Sequence, residues 1–466
     1  MVQFSDFVKT YDVRGLVGSQ LTPEIVEAFG AGFADELELN GKELVIGYDM
    51  RDSSEGFAHA FAQGAAKRGA SSKILGLCST DMSYFASGSM QLPAVMFTAS
   101  HNPASYNGMK FSRAGARGIS MDTGLGAISR RAEAFLNSGI EAVAQLGTTT
   151  RVDVMGDYVN YLRSLVSFQG SRKLKIVVDA ANGMGGLTVP AVFGEAAGLA
   201  ALDFEIVPMY FELDGSFPNH EANPLDPKNL VDLQKAVVEH KADLGLAFDG
   251  DADRCFAIDE NGVAISPSAV AAIVAKREIE RVKSLGETDI TVIHNALTSR
   301  SVEEVIREMG AKPFRTKVGH SLIKDAMAET KAVFGGEHSA HYYFRDFWGA
   351  DNGMLAAMHL VAEIAGSEEP ASKLGERFTP YFASGEINST VEDREAALAR
   401  VRAALAGASE EVFDGTTFSY QDEKTWWWAN IRPSNTEPLL RLNVESSHEA
   451  SMVEIRDKAI KAIRNL

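Results

Sequence analysis

Residues 43–78, ELVIGYDMRDSSEGFAHAFAQGAAKRGASSKILGLC, carry the pattern that decides the fold. They begin with an apolar run (43–48) and end with another (73–78), and each run has the length of a buried strand. Between the two runs, Ser53 or Ser54 can cap a helix. A strand, a helix and a second strand in this order predict a parallel sheet with a helix packed on it.

The same alternation of strands and helices recurs along most of the chain. Thr22-Pro23 is a typical helix start, with threonine as the cap and proline in the first turn, and Asn40-Gly41 is a typical stop. Further apolar runs with the length of buried strands lie at 94–97, 174–179, 242–248, 289–294 and 331–334. We therefore expect three similar α/β domains with mixed sheets, and ligands at the carboxyl ends of their strands.

The pattern changes after about residue 375. A helix is predicted near 392–406 and another near 448–464, with strands at 426–432 and 439–445 between them. This order indicates a smaller C-terminal α+β domain. The expected domains are residues 1–150, 151–260, 261–374 and 375–466.

The composition is that of an ordinary globular protein, and it limits the partners. The 466 residues are too many for one core, because domains usually hold about 100–200 residues. Hydrophobic residues make up 45% and charged residues 23%, which argues against extended disorder. The formal net charge of −18 argues against a nucleic-acid partner, which would require a basic face.

Three features concern the cell compartment. Cys78 and Cys255 are too few for a disulfide framework and fit a reducing compartment. The N-terminus lacks a basic region followed by an apolar run, so no signal peptide is expected. No apolar stretch approaches the ~20 residues that span a bilayer. We therefore expect a cytoplasmic protein without a membrane partner.

The first loop that carries chemistry is Thr98-Ala-Ser-His-Asn-Pro103, directly after the apolar run 94–97. A serine is a weak nucleophile unless a neighbour activates it. If phosphorylated, Ser100 would carry a transferable phosphoryl group with a charge of roughly −2. The same residues are also typical of a plain turn, and the hexapeptide alone fits both interpretations.

The second loop is Asp249-Gly-Asp-Ala-Asp-Arg254, with carboxylates at alternate positions. Three carboxylates so spaced can converge on one hard cation through oxygen ligands. An EF-hand has a similar spacing, but it requires glycine where Arg254 stands. Its flanks are helices, whereas the flanks here, 242–248 and 255–259, are typical of strands. The sequence favours a three-carboxylate Mg²⁺ site over a solvated acidic turn.

The third loop is Gly335-Gly-Glu-His-Ser-Ala-His341. Glu337, Ser339 and His341 alternate, so in an extended chain their side chains would share one face. A carboxylate and a hydroxyl so placed can hydrogen-bond sugar hydroxyls, and a capped turn would have similar residues.

The fourth loop is Arg432-Pro-Ser-Asn-Thr-Glu437. A guanidinium, two hydroxyls, an amide and exposed backbone N–H groups suit a phosphate dianion, and a plain turn is the alternative. Together, the four loops offer a serine that can carry phosphate, a cation site, a loop that can bind sugar hydroxyls and a loop that can bind phosphate. A sugar-phosphate phosphotransferase needs this combination.

In this order, the four motifs resemble those of the α-D-phosphohexomutase superfamily, and within it those of the bacterial phosphomannomutase/phosphoglucomutase enzymes. The resemblance begins at Tyr11-Asp-Val-Arg-Gly15 and covers nearly the whole chain. It implies four domains around a central cleft, small-molecule hexose phosphates as substrates and Mg²⁺ as the cofactor. It also implies interconversion of hexose 1-phosphate and hexose 6-phosphate, with mannose and/or glucose as the hexose. The route would use a phosphoserine and glucose 1,6-bisphosphate (or mannose 1,6-bisphosphate) as intermediate and activator.

The resemblance further implies roles for individual residues. The phosphoserine would be Ser100, and Mg²⁺ would be bound by Ser100, Asp249, Asp251 and Asp253. The candidates for general acid and base are His101, Lys110 and Arg14. Sugar hydroxyls would be read by Glu337, Ser339 and His341. The phosphate that does not react would be held by Arg432, Ser434, Asn435 and Thr436. Other positions of the cleft are matched by Tyr11, Arg254 and His320.

Two alternatives stand beside this hypothesis. A phosphoglucosamine mutase would use the same chemistry, and Asn435 counts modestly against it because those enzymes typically have glycine there. A non-catalytic sugar-phosphate sensor would typically have lost the serine or a metal carboxylate, and this chain has Ser100 and all three aspartates.

Overall fold

The computed structural model describes residues 3–168, 170, 172–433 and 439–465. These residues form four sheets, each built from a continuous part of the chain. The first three sheets mix parallel and antiparallel strands, and the fourth is antiparallel throughout its described part. The expected fold class, three α/β domains and a smaller C-terminal domain, is confirmed.

The first sheet has seven strands, with helices packed on it. Its strands are β1 (Val13–Leu16), β2 (Glu43–Tyr48), β3 (Ser71–Leu77), β4 (Ala94–Phe97), β5 (Tyr106–Arg113), β6 (Arg117–Gly118) and β7 (Thr149–Arg151). Its helices are α1 (Pro23–Glu36), α2 (Ser54–Lys67), α3 (Thr80–Met90) and α4 (Gly126–Ser138). The strand order is β1-β5-β4-β2-β3-β7, with β6 beside β5, and β2 runs parallel to both β3 and β4.

Local chemistry explains the first helices. The Thr22 hydroxyl accepts a hydrogen bond from the Ile25 N–H at 3.4 Å and caps α1, as predicted. Helices α1 and α2 pack unusually close because both carry glycine at the contact. A Cβ at Gly64 would lie 1.8 Å from the Glu27 carbonyl oxygen, and one at Gly30 would lie 2.1 Å from the Phe61 carbonyl oxygen. Any larger residue would force the two helices apart.

The second sheet has five strands. The elements of this part are α5 (Met155–Leu165), β8 (Lys175–Asp179), α6 (Gly185–Val192), β9 (Glu205–Met209), α7 (Val231–His240), β10 (Leu244–Phe248), β11 (Cys255–Asp259) and β12 (Ala264–Ile265). The strand order is β12-β11-β10-β8-β9. Strands β10 and β11 are antiparallel neighbours joined by the loop 249–254, so the predicted strand-like flanks of that loop are confirmed.

The third sheet also has five strands, and their order across the sheet is β14-β13-β15-β16-β17. Its strands are β13 (Thr291–Asn295), β14 (Lys312–Thr316), β15 (Phe334–Gly336), β16 (Tyr342–Phe344) and β17 (Ala350–Asp351). Its helices are α8 (Pro267–Ser284), α9 (Arg300–Glu308), α10 (His320–Thr330), α11 (Gly353–Ala365) and α12 (Ala371–Phe378). Strand β15 begins later than the predicted 331–334, because Lys331 ends α10 in the left-handed conformation.

The fourth sheet has six strands. The elements of this part are β18 (Phe382–Ala383), β19 (Ile387–Thr390), α13 (Arg394–Ala404), β20 (Ser409–Val412), β21 (Thr416–Gln421), β22 (Trp426–Pro433), β23 (Leu439–Ser446) and α14 (Glu449–Arg464). Both predicted strands and both predicted helices of this domain are confirmed.

One large buried cluster joins the first three parts of the chain. It includes Val45 of β2, Tyr158 of α5, Val177 of β8 and Phe334 of β15. The fourth part has its own smaller core, centred on apolar residues of β22, β23 and α14. The loops that follow β4 and β10 are therefore held against each other by a shared core.

Candidate active site

Ser100 lies three residues after β4, at the centre of the candidate site. Its φ is +50°, a left-handed conformation that is unfavourable for a residue with a side chain. The Thr98 hydroxyl stabilises it by accepting the Ser100 N–H at 2.8 Å. The Ser100 hydroxyl then lies 2.9 Å from Asp249 Oδ2, in the loop between β10 and β11. The strained backbone thus directs the hydroxyl of the first domain at a carboxylate of the second.

Arg51 clamps this serine loop, and the sequence analysis missed it. Its guanidinium donates to the carbonyl oxygens of Ser100 (2.9 Å), Asn102 (2.7 Å), Pro103 (2.8 Å) and Tyr106 (3.0 Å). Asp49 accepts the remaining Nε–H at 3.2 Å. The position of Arg51 just after β2, at the same sheet edge as the serine loop, was the available signal.

The three aspartates of the loop 249–254 converge as predicted. Asp249, Asp251 and Asp253 are each 0% exposed, and one oxygen from each lies within 4.8 Å of the others. Within the described part of the chain, Oδ1 of Asp251 and Oδ1 of Asp253 are buried without a hydrogen-bond partner. Buried carboxylate oxygens normally have partners, so these oxygens fit direct coordination of a hard cation.

Lys110 supplies positive charge to this cluster. Its ammonium lies 2.7 Å from Asp251 Oδ2 and 2.6 Å from Asp253 Oδ2. Burial disfavours the charged lysine, but the two carboxylates outweigh burial and raise the pKa of Lys110 well above its ordinary value. Burial likewise opposes ionisation of Asp251, yet Lys110 and the Thr80 hydroxyl, 2.6 Å from Oδ2, lower the pKa of Asp251 overall. Lys110 therefore remains a cation.

Asp249 behaves differently from Asp251. Burial raises the pKa of Asp249 to about 7, although the charge of Arg254 acts in the opposite direction. Arg254 donates to Asp249 Oδ2 from Nε at 3.0 Å and from Nη2 at 2.8 Å. The same Nη2 lies 3.3 Å from the Ser100 hydroxyl. Arg254 thus places a guanidinium beside the oxygen that would carry phosphate.

His101 completes the group around Ser100. Its Nδ1 lies 3.2 Å from the Ser100 hydroxyl and 2.6 Å from Arg254 Nη2, which donates to it. Burial, followed by the charge of Arg254, lowers the pKa of His101 well below its ordinary value. A neutral imidazole therefore lies next to the serine.

Arg14 and Tyr11 lie at the edge of this group. Arg14 donates to Asn102 Oδ1 at 2.6 Å and pairs with Asp12 at 2.6 Å, so it reaches the serine loop through Asn102. Tyr11 and Lys110 line a small cavity of about 30 Å³. His320 begins α10, and its side chain lies outside the described residues.

The loop 337–341 forms a turn rather than an extended segment, which is the alternative that its residues left open. The Glu337 N–H donates to the His341 carbonyl oxygen at 3.0 Å, and Ala340 has a φ of +64°. Alternation in sequence gives a common face only in an extended chain, and this turn breaks the alternation.

Glu337 and His341 are nonetheless both oriented by neighbours. Glu337 accepts hydrogen bonds from Asn295 Nδ2 and from the Tyr343 hydroxyl, each at 2.9 Å. His341 Nδ1 lies 3.1 Å from Asp351 Oδ2. Ser339 lies in the turn itself, half-buried. A carboxylate has further lone pairs, so Glu337 can still accept from a ligand hydroxyl.

The fourth loop is described only at its start. Arg432 Nη2 lies 3.4 Å from Glu386 Oε2. The described contacts of Arg432 are with residues of the fourth domain and not with the serine and aspartate cluster. The other predicted phosphate ligands, Ser434, Asn435 and Thr436, lie outside the described residues.

The structure adds several side chains to the predicted set. These residues, which sequence reasoning did not select, are Arg51, Thr80, Asn102, Asn295, Lys324, Tyr343 and Asp351. All but Lys324 contact a predicted residue, and Lys324 pairs with Asp351, which contacts His341. Asn102 lies within the quoted serine loop, whereas the others belong to none of the four loops. None of the described helices is long and apolar enough to cross a membrane.

Comparisons with known proteins agree with this geometry. Four family models match consecutive parts of the chain: phosphoglucomutase/phosphomannomutase α/β/α domain I (residues 6–134), domain II (156–262), domain III (266–381) and the C-terminal domain (386–462). A phosphomannomutase of Salmonella montevideo is 37% identical over 464 residues, which is 98% of each chain.

Two further relatives extend the comparison. A protein of Xanthomonas campestris pv. campestris named phosphohexose mutases is 37% identical over 456 residues, 97% of each chain. The crystal structure of a phosphoglucomutase/phosphomannomutase family protein from Burkholderia thailandensis has a TM-score of 0.85 and 29% identity. It covers 99% of this chain and 98% of its own.

Proposed function

Because the chain belongs to the phosphoglucomutase/phosphomannomutase family, and is an enzyme of the mutase type that acts on hexose phosphates, we propose that it moves the phosphoryl group through Ser100. The contact of the Ser100 hydroxyl with Asp249 Oδ2, 2.9 Å apart within the aspartate cluster, carries this proposal. We propose mannose and glucose as the hexoses, because the named relatives include phosphomannomutases and phosphohexose mutases.

We propose Mg²⁺ as the cation of the aspartate cluster. Asp249, Asp251 and Asp253 would hold it together with the phosphoryl group on Ser100, and their oxygen donors suit a hard cation. When bound, it would offset charge on the transferring group. Arg254 adds a second positive charge at the serine oxygen.

The proposed reaction has two mirrored halves. In the first, the P–O bond to Ser100 breaks and a P–O bond forms to O6 or O1 of the bound hexose monophosphate. The sugar hydroxyl loses its proton to a base, and the freed Ser100 oxygen gains a proton from an acid. A hexose 1,6-bisphosphate results, and it turns around within the site. In the second half its other phosphoryl group is transferred to Ser100, whose hydroxyl loses its proton to a base, and the freed sugar oxygen gains a proton from an acid.

The environments of the three acid–base candidates suggest different roles. His101 is a neutral imidazole and suits a proton acceptor. Lys110 is held as a cation by Asp251 and Asp253 and suits charge stabilisation better than proton donation, because its raised pKa means that it holds its proton tightly. Arg14 donates to Asn102 of the serine loop, so we assign it to positioning of Asn102 and that loop.

We assign recognition of the substrate mainly to the loops 337–341 and 432–436. Glu337, Ser339 and His341 would contact sugar hydroxyls. The phosphate that is not reacting would be held by Arg432, Ser434, Asn435 and Thr436, with Tyr11 and His320 beside the sugar. The Nε of Arg432 is buried and has no hydrogen-bond partner among the described residues. This supports a role of Arg432 in phosphate binding.

The decisive test is a coupled assay of the purified protein. Glucose 1-phosphate, mannose 1-phosphate and glucosamine 1-phosphate are compared in the presence of Mg²⁺ and a trace of glucose 1,6-bisphosphate, with Ser100→Ala as the control. Turnover of both hexose phosphates, lowered by orders of magnitude in the variant, is expected. Turnover of glucosamine phosphate alone would identify a phosphoglucosamine mutase, and no turnover at all would favour a sugar-phosphate sensor.

A further inference from the structure

Asp351 is a fully buried carboxylate next to the loop 337–341. It ends strand β17, is 0% exposed, and lies opposite Tyr343 in the antiparallel pair of β16 and β17. His341 immediately precedes β16. The sheet therefore fixes the Asp351 carboxylate beside the last residue of this loop.

Two side chains of the third domain share this carboxylate. His341 Nδ1 lies 3.1 Å from Asp351 Oδ2, and Lys324 Nζ lies 2.8 Å from Asp351 Oδ1. Lys324 comes from α10 and balances the charge of the buried carboxylate. The Lys324 ammonium also lies 4.2 Å from the ring centre of Tyr84, on α3 of the first domain. These contacts leave the carboxylate little freedom to move.

His341 also lies near the metal loop. One donor atom each of Asp253, His341 and Asp351 lie within 4.8 Å of one another. His341 thus lies close to both the Asp351 carboxylate and a carboxylate of the aspartate cluster. Because Lys324 already neutralises Asp351, this second group of acidic and imidazole side chains is better explained as a support for the histidine than as another cation site.

We propose that Asp351 is a positioning residue for the reaction: it accepts a hydrogen bond from Nδ1–H of His341 and thereby turns Nε2 of that ring towards the bound hexose. A histidine ring nitrogen is set as donor or acceptor by the partner of the other nitrogen, so the carboxylate selects one tautomer and one ring orientation. This inference rests on the proposed role of the loop 337–341 in reading the sugar.

Two double-mutant cycles separate this role from a merely structural one. Asp351→Asn is combined with His341→Gln in one cycle and with Lys324→Met in the other, and kcat and KM for glucose 1-phosphate are measured. Asp351→Asn alone is expected to lower kcat/KM by about 10-fold to 100-fold. In the His341→Gln background the same change should lower it less than about twofold, because its effect has already been lost.

Two results of the cycles would overturn the proposal. One is that the effects of Asp351→Asn and His341→Gln multiply. The other is that Asp351→Asn is coupled to Lys324→Met and not to His341→Gln, since Asp351 would then act through the lysine.

A second measurement depends neither on activity nor on folding of the Asp351 variant. In the wild-type protein labelled with ¹⁵N-histidine, the His341 imidazole signals are identified by their loss in His341→Gln. A proton on Nδ1 is expected, and a ring protonated on Nε2 alone would overturn the proposal. An inactive wild-type enzyme with the expected Nδ1 proton would instead refute the proposed function and leave the Asp351–His341 contact established.

Discussion

The hydroxyl of Ser100 lies 2.9 Å from Oδ2 of Asp249, although 149 residues separate the two in sequence. This contact joins the serine loop of the first domain to the aspartate loop of the second. It requires close backbone approach as well, because a Cβ at Gly250 would lie 2.5 Å from the Ser100 carbonyl oxygen. The two loops therefore fit together only with glycine at position 250.

The first prediction follows from this close approach. Gly250→Ala should push the serine and aspartate loops apart and lower kcat by at least about tenfold, since small misplacements of reacting groups are costly. Gly156→Ala is the matched control, because a Cβ at this position of α5 meets nothing within 4 Å. The control should keep its activity and gain slightly in thermal stability. Full activity of Gly250→Ala would contradict the proposed contact.

The second prediction concerns the cation. Asp253→Asn removes a charge from the buried cluster and should weaken Mg²⁺ binding by about tenfold or more, measured by isothermal titration calorimetry. Asp422→Asn, an exposed residue of the fourth domain, is the control for a general loss of charge. If both variants bind Mg²⁺ like the wild type, the three aspartates do not form the site.

Much of this arrangement could be predicted from the sequence because it depends on local patterns. The apolar runs at 43–48 and 94–97 became β2 and β4, and the loop 249–254 lies between two strands as its flanks indicated. In each case the run length, the turn residues and the flanks all favoured the same structure.

The features that could not be predicted depend on contacts between distant residues. Arg51 reaches carbonyl oxygens about fifty positions away, and no spacing rule connects them. The turn at 337–341 places Ala340 at a φ of +64°, a conformation that alanine rarely adopts, so its residues could not decide between a turn and an extended segment. Asp351 became relevant only when the sheet placed it beside His341.

The third prediction tests the Arg51 clamp. Arg51→Met leaves the buried Asp49 carboxylate without its ion pair. It also removes the hydrogen bonds that Arg51 donates to four carbonyl oxygens of the serine loop. The free energy of unfolding, from urea titration, should fall by about 3–5 kcal/mol, and kcat should fall with it. Asp49→Asn combined with Arg51→Met should recover part of the stability but not the activity. A double variant less stable than Arg51→Met would contradict this account.

The last prediction concerns pH and His220 of the second domain. His220 Nε2 lies 3.0 Å from Asp179 Oδ2, and its Nδ1 lies 2.9 Å from the Glu221 carbonyl oxygen. Both ring nitrogens therefore face acceptors, which suits the doubly protonated imidazolium. Burial opposes this charge, but the hydrogen bond and charge of Asp179 outweigh burial and raise the pKa of His220 above its ordinary value.

A raised pKa in the folded state means that the folded protein holds the proton more tightly than the unfolded chain. The contribution of His220 to stability is then fully present below the ordinary histidine pKa of about 6.5 and is lost as the pH rises through the higher folded value. His220→Gln should therefore cost about 1 kcal/mol more of unfolding free energy at pH 5.5 than at pH 9, measured by urea titration at both. His59→Gln, at an exposed position of α2, is the control and should show no such difference. A cost for His220→Gln that is equal at the two pH values, or larger at pH 9, would show that the folded protein does not favour the charged ring.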